Sequence, residues 1–137
     1  MNKGIGQYKK IGVETALVNA TPHRLIQMLY EGALTNLANA KGAITNNQIG
    51  LLSESIKKTS NILVGLEEGL DLERGGDIAA NLQALYSYMQ AELLAAQASK
   101  SEAKIEALIS IIVDLKLGWD AIEPGKQSGN EEKADES

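Results

Sequence analysis

The sequence predicts an all-α protein, an antiparallel up-down four-helix bundle. Three observations point there. Proline occurs only at positions 22 and 124, so the long interval between them lacks the strongest helix breaker. Within that interval, apolar residues recur at steps of three and four in four successive segments, the spacing of one helix face. Aromatic residues make up only 4% of the 137, with no Phe, so the core must come from Leu, Ile, Val, Met and Ala. Such residues suit helices packed side by side, and short connections make successive helices antiparallel.

The first helix is expected over about 22–44. Thr21 can cap it, and Pro22 fits the first turn, where a missing N–H costs nothing. Leu25, Met28, Leu29, Ala33, Leu37, Ala40 and Ile44 form its stripe, and Thr45-Asn46-Asn47 reads as a loop. The second helix, about 48–69, carries Leu52, Ile56, Thr59, Leu63 and Leu66 on one face. The third, about 77–98, has a stripe of Ile78, Leu82, Leu85, Met89, Leu93 and Ala96. It also has a second row of Ala84, Tyr88, Ala91 and Ala95. The fourth, about 100–122, begins with Ser99-x-x-Glu102, which matches a capping box. Its seam is Ile105, Leu108, Ile112, Leu115, Trp119 and Ile122, and Pro124-Gly125 stops it.

These helices form a bundle over 21–123, flanked by two ends. Residues 1–20 carry Ile5, Tyr8, Ile11, Val13, Leu17 and Val18, but Gly4 and Gly6 weaken any helix. A partly ordered segment packed on the bundle is expected. Residues 124–137 are polar, acidic and Gly/Ser-containing, and read as a disordered tail.

Composition excludes several functions. The formal net charge is −5 and the basic residues are scattered, which argues against nucleic acid, whose binding needs clustered cations. The absence of Cys excludes disulfides, thiolate catalysis and Cys-ligated zinc. No apolar run approaches the ~18 residues of a membrane span, and the N-terminus lacks the apolar stretch of a signal peptide. A cytoplasmic protein without membrane insertion is the expectation.

The chemical motifs dissolve on inspection. Gly75-Gly76 lies among Asp71, Glu73 and Asp77, with no following lysine and no preceding strand, so it is not a phosphate loop. It reads instead as a helix end with a left-handed glycine, then a cap from Asp77, forming a hinge between helices two and three. A di-iron bundle needs Glu-x-x-His on two helices, and His23 is the only histidine, so no metal or cofactor is expected. A histidine phosphotransfer bundle using His23 is a rival reading. The histidine sits in a first turn, however, rather than on the middle of a helix face. No Ser lies in a nucleophile motif, and adjacent Glu67 and Glu68 point to different azimuths. The chain reads as a non-enzyme with surplus apolar surface on helices three and four. That surface can serve as extra core, a homodimer interface, or a groove for a partner helix.

Three stretches carry a resemblance: "VETA" (13–16), "TPHRLIQMLYEGAL" (21–34) and "LDLERGGDIAANLQALYSYM" (70–89). In their order they resemble the flagellar secretion chaperone family FliS, over most of residues 8–122, more thinly over 38–58. The resemblance implies a helical bundle without catalytic activity that binds the disordered C-terminal segment of flagellin. It also implies that the chaperone prevents premature polymerisation and assists delivery to the type III export gate. The N-terminal segment would be a cap displaced by the client. Tyr8 matches the family's N-terminal tyrosine, preceded here by Gln7 where a tyrosine pair is common. The expected contacts are Tyr8 and Ile11 in the cap, with Tyr86, Met89, Leu93, Ile109 and Ile112 in the groove. A mostly monomeric state is expected.

Overall fold

The computed structural model describes residues 20–122, which form four α-helices. They are α1 (Pro22–Thr45), α2 (Ile49–Glu68), α3 (Leu72–Ser99) and α4 (Glu102–Asp120). Tyr8, Ile11 and the acidic tail lie outside the described residues.

Each helix begins for a local reason. Thr21 Oγ1 accepts a hydrogen bond from the Arg24 N–H at 3.0 Å, and Pro22 occupies the first turn. Asn47 takes the left-handed conformation (φ 55°) in the turn to α2, which Asn tolerates better than most residues. The cap of α4 is Ser101, whose Oγ accepts from the Lys104 N–H at 3.1 Å, so the expected box at Ser99 does not form. Lys100 turns left-handed after α3, which leaves Ser99 in the preceding helix with its hydroxyl donating to the Ala95 carbonyl.

The two glycines are placed differently from the expectation. α2 ends at Glu68, and its cap Gly69 is right-handed. Gly75 and Gly76 lie inside α3, whose first turn is capped by Asp71 accepting from the Arg74 N–H at 3.1 Å. Gly76, with φ 55° and ψ −133°, breaks the helix there. The hinge is real, but it kinks α3 rather than separating α2 from α3. Periodicity begins at Asp77 because the turn before the kink points its side chains elsewhere.

The helices close a ring in which each packs on its sequence neighbours and α4 returns to α1. α1 and α4 run in opposite directions. Gln27 near the start of α1 donates to Asp120 at the end of α4, and Thr45 at the end of α1 meets Glu102 at the start of α4. α2 and α3 are likewise opposed, with Ser60 bonded to Gln90 and Gln83 to Glu67. The core is Leu29, Ala33, Leu37 and Ala40; Leu52, Ile56, Leu63 and Leu66; Tyr86, Met89, Leu93 and Ala96; Ile105, Leu108 and Ile112. On α3 it departs from the expected stripe, because Tyr86 is buried whereas Ile78 is exposed and Leu82 and Leu85 are half-buried. Gly32 lets α2 approach, because a Cβ there would sit 3.3 Å from Ile62 Cδ1.

One polar pair crosses this core. The hydroxyls of Tyr30 on α1 and Tyr86 on α3 lie 2.8 Å apart, both buried. Burial pushes both phenols above their ordinary range, so both stay protonated. The pair ties the diagonal of the ring. Tyr86→Phe leaves the Tyr30 hydroxyl buried without its partner and is expected to cost about 1–2 kcal/mol in urea unfolding. Adding Tyr30→Phe should recover most of that loss, because replacing both partners by apolar groups can be nearly neutral. A double variant whose loss equals the sum of the singles would show that the hydroxyls do not act as a pair.

Candidate functional site

The seam between α3 and α4 is the least extensive of the four, and side-chain partners show which flank of each helix faces it. On α3, Gln83 and Gln90 reach α2, whereas Glu92 reaches α4 through Lys104 at 3.1 Å. Tyr88 lies one turn before Glu92 on that second flank, followed along the helix by Ala91 and Ala95 and preceded by Ala84. On α4, Glu106, Lys116 and Asp120 reach α1. The opposite flank carries Ile111 and Leu115, at helical spacing with Lys104, and Ile122 follows just past the helix end.

A groove follows from this. The Glu92–Lys104 ion pair closes it at one end. Half-buried Leu82, Leu85, Ile111 and Leu115 make its floor, and Tyr88 (54% exposed) with the small Ala84 and Ala91 makes its α3 wall. The opposite end stands open, where Ile78 is 73% exposed although its spacing places it in the core row of α3. Leu72 and Ile122 are exposed at the same end. Such a concentration of uncovered apolar side chains marks an interaction surface more often than a free one. Among the described residues, no three or more His, Cys, Asp or Glu are placed to hold a metal ion. No described helix is long and apolar enough to cross a membrane.

The sequence-predicted contacts fall differently. Tyr86, Met89, Leu93 and Ile112 are between 0% and 2% exposed, and Ile109 is half-buried against the core. In this arrangement the four buried residues form the bundle interior and offer no surface to a client. The reason is geometric: they belong to the rows that point at the bundle axis, and the groove is lined by the neighbouring rows. Those neighbours share the same period, so spacing alone does not rank them. The second row of α3, Ala84 to Ala95, is the signal that marks the groove.

His23 is also placed. It is 5% exposed, and its ring stacks on Trp119 with centroids 5.2 Å apart and planes 16° from parallel. A phosphotransfer histidine must meet a partner's aspartyl phosphate, and this ring is covered. The adjacent Asp120 carboxyl is held below its ordinary range, first by a hydrogen bond from Lys116 and then by one from Gln27.

Comparison with known proteins decides the class. Residues 4–126 match the family model described as flagellar protein FliS. The chain belongs to the FliS family. It is 41% identical over 120 residues to the flagellar secretion chaperone FliSB of Pseudomonas aeruginosa, covering 88% of this chain and 95% of that one. Identity to the flagellar secretion chaperone FliS of Salmonella typhimurium is 37% over 122 residues, covering 88% and 90%. For FliS of Vibrio cholerae it is 35% over 124 residues, covering 90% and 91%. FliS proteins are chaperones, so the chain is not an enzyme. The tyrosines of the buried pair and the glycines of the α3 kink fall within the two longest stretches that carried the resemblance.

Proposed function

We propose that this FliS protein is a cytoplasmic flagellar export chaperone that holds the C-terminal segment of flagellin in the α3–α4 groove. The client segment lies there as amphipathic helix, its apolar side chains placed between Tyr88, Leu85, Ile111, Leu115 and Ile122. The observation that carries this reading is the open apolar seam between α3 and α4 in a chain of this family. Tyr86, Met89, Leu93 and Ile112 support the groove from beneath, whereas Ile109 shares the α1-facing flank of α4 with Glu106 and Lys116. Residues 1–20, with Tyr8 and Ile11, act as a cap that the client displaces. Binding withholds flagellin from premature polymerisation and assists its delivery to the export gate. The chaperone works mostly as a monomer, which sedimentation without client tests directly.

The energetic logic is that of coupled folding. Ordering a disordered segment costs about 2–5 kcal/mol or more, offset by burying roughly 1,000–3,000 Å². The attraction is mainly hydrophobic, so the complex should tolerate added salt.

Titration with intact flagellin and with flagellin lacking its C-terminal segment tests the client. Equal binding of both forms would end the proposal. The groove is tested by Tyr88→Asp combined with Ile122→Asp, two exposed positions. Affinity is expected to fall about thirtyfold or more, the scale of losing a hot spot of about 2 kcal/mol, with an unchanged urea midpoint. Full affinity in this variant would place the client elsewhere.

A further inference from the structure

Near its start the groove's α4 wall is held to α3 by the Glu92–Lys104 ion pair. Its far end is tied to the start of α1 by a compact clasp. The Trp119 indole N–H donates to the His23 carbonyl at 2.9 Å, and the indole face stacks on the imidazole. Gln27 donates to Asp120 at 2.7 Å beside them, and Lys116 bonds Asp120 at 2.6 Å. Just before Trp119 stands Gly118, exposed, where an added Cβ would meet nothing within 4 Å. A glycine in the last turn weakens the helix at that point. The end of α4 thus depends on the clasp for its position. The clasp also leaves the His23 Nδ1 buried and without a hydrogen-bond partner.

We propose that His23 and Trp119 are positioning residues for the client groove: by fastening the end of α4 to α1, they fix how far Leu115 and Ile122 stand from α3. This rests on the reading of the α3–α4 seam as the client site. His23 is buried on the α1 side and cannot touch a client on the seam, so any effect of changing it reaches the client through α4. Trp119 transmits the constraint because one ring makes both the stack and the hydrogen bond.

The experiment compares the full-length chain with His23→Ala, Trp119→Phe and Ala43→Gly. Trp119→Phe keeps an aromatic face and removes the N–H. Ala43→Gly weakens α1 at the opposite end of the bundle and serves as the control for lost stability. Two readouts are taken: affinity for the flagellin C-terminal segment, and amide hydrogen exchange along the chain. His23→Ala is expected to weaken binding about tenfold, within the range found for residues that couple to a site without touching it. Trp119→Phe should weaken it less, and Ala43→Gly should leave it within about twofold, since distant sites behave independently. Exchange in His23→Ala should rise across 113–120 and stay unchanged in α2, a local opening. An unchanged affinity in His23→Ala overturns the proposal, and so does exchange that rises equally in all four helices. If the unaltered chain fails to bind the segment, the functional reading is what fails, and the exchange pattern still decides whether the clasp holds α4.

Discussion

Met89→Ala is expected to lower the free energy of unfolding by about 3 kcal/mol, the middle of the range for emptying a fully buried site. Met89 is 0% exposed, between Tyr86 and Leu93 in the row that α3 turns toward the axis. Truncation removes buried methylene and sulfur contacts and leaves a cavity that the flanking helices close only in part. A domain of this kind is stable by roughly 5–15 kcal/mol, so the loss is large. The urea midpoint should fall with an unchanged slope. Tyr88→Ala, one residue away and 54% exposed, should shift stability by no more than about 0.5 kcal/mol. The contrast separates the core row from the groove row. A Met89→Ala midpoint equal to the unaltered one would mean that α3 is rotated from the position described.

Gly76→Ala is the second large effect, expected to cost about 2–3 kcal/mol. At φ 55° and ψ −133° the backbone lies where side-chain-bearing residues are strained by about 1–3 kcal/mol. A neighbour leaves little room for relief, because a Cβ on Gly75 would come within 2.5 Å of the Ala79 Cβ. The penalty is therefore conformational at Gly76 and steric at Gly75. Gly118→Ala supplies the opposite sign: its surroundings are open and its backbone helical, so a gain of up to about 1 kcal/mol is expected. Thermal unfolding of the two variants checks the order, which a harmless Gly76→Ala would break.

The fold was largely legible because helix rows are local. Leu29, Ala33, Leu37 and Ala40 announce a buried face by their spacing alone, and Thr21-Pro22 announces where that helix starts. Two boundaries were less readable. The spacing points to Ser99 as the cap of α4, but the left-handed Lys100, which no propensity favours, keeps Ser99 in α3 and moves the cap to Ser101. The start of α3 was hidden because the turn from Leu72 to Gly75 follows the kink rather than the stripe. The groove was legible only as a second apolar row. Which row faces the axis depends on how α3 is rotated against α2, and that rotation shows in contacts between residues far apart in sequence, such as Gln90 with Ser60. The His23–Trp119 stack joins the first and last helices, residues 96 apart in sequence, and no local pattern signals it.

The ring order of the helices has a kinetic consequence. Three of its four seams join segments adjacent along the chain, through turns of only a few residues. Contacts of that sort carry a small loop-closure penalty, which places helical proteins of this type in the microsecond-to-millisecond range. The seam between α1 and α4 brings together the first and last helices, far apart in sequence, and it is expected to zip last.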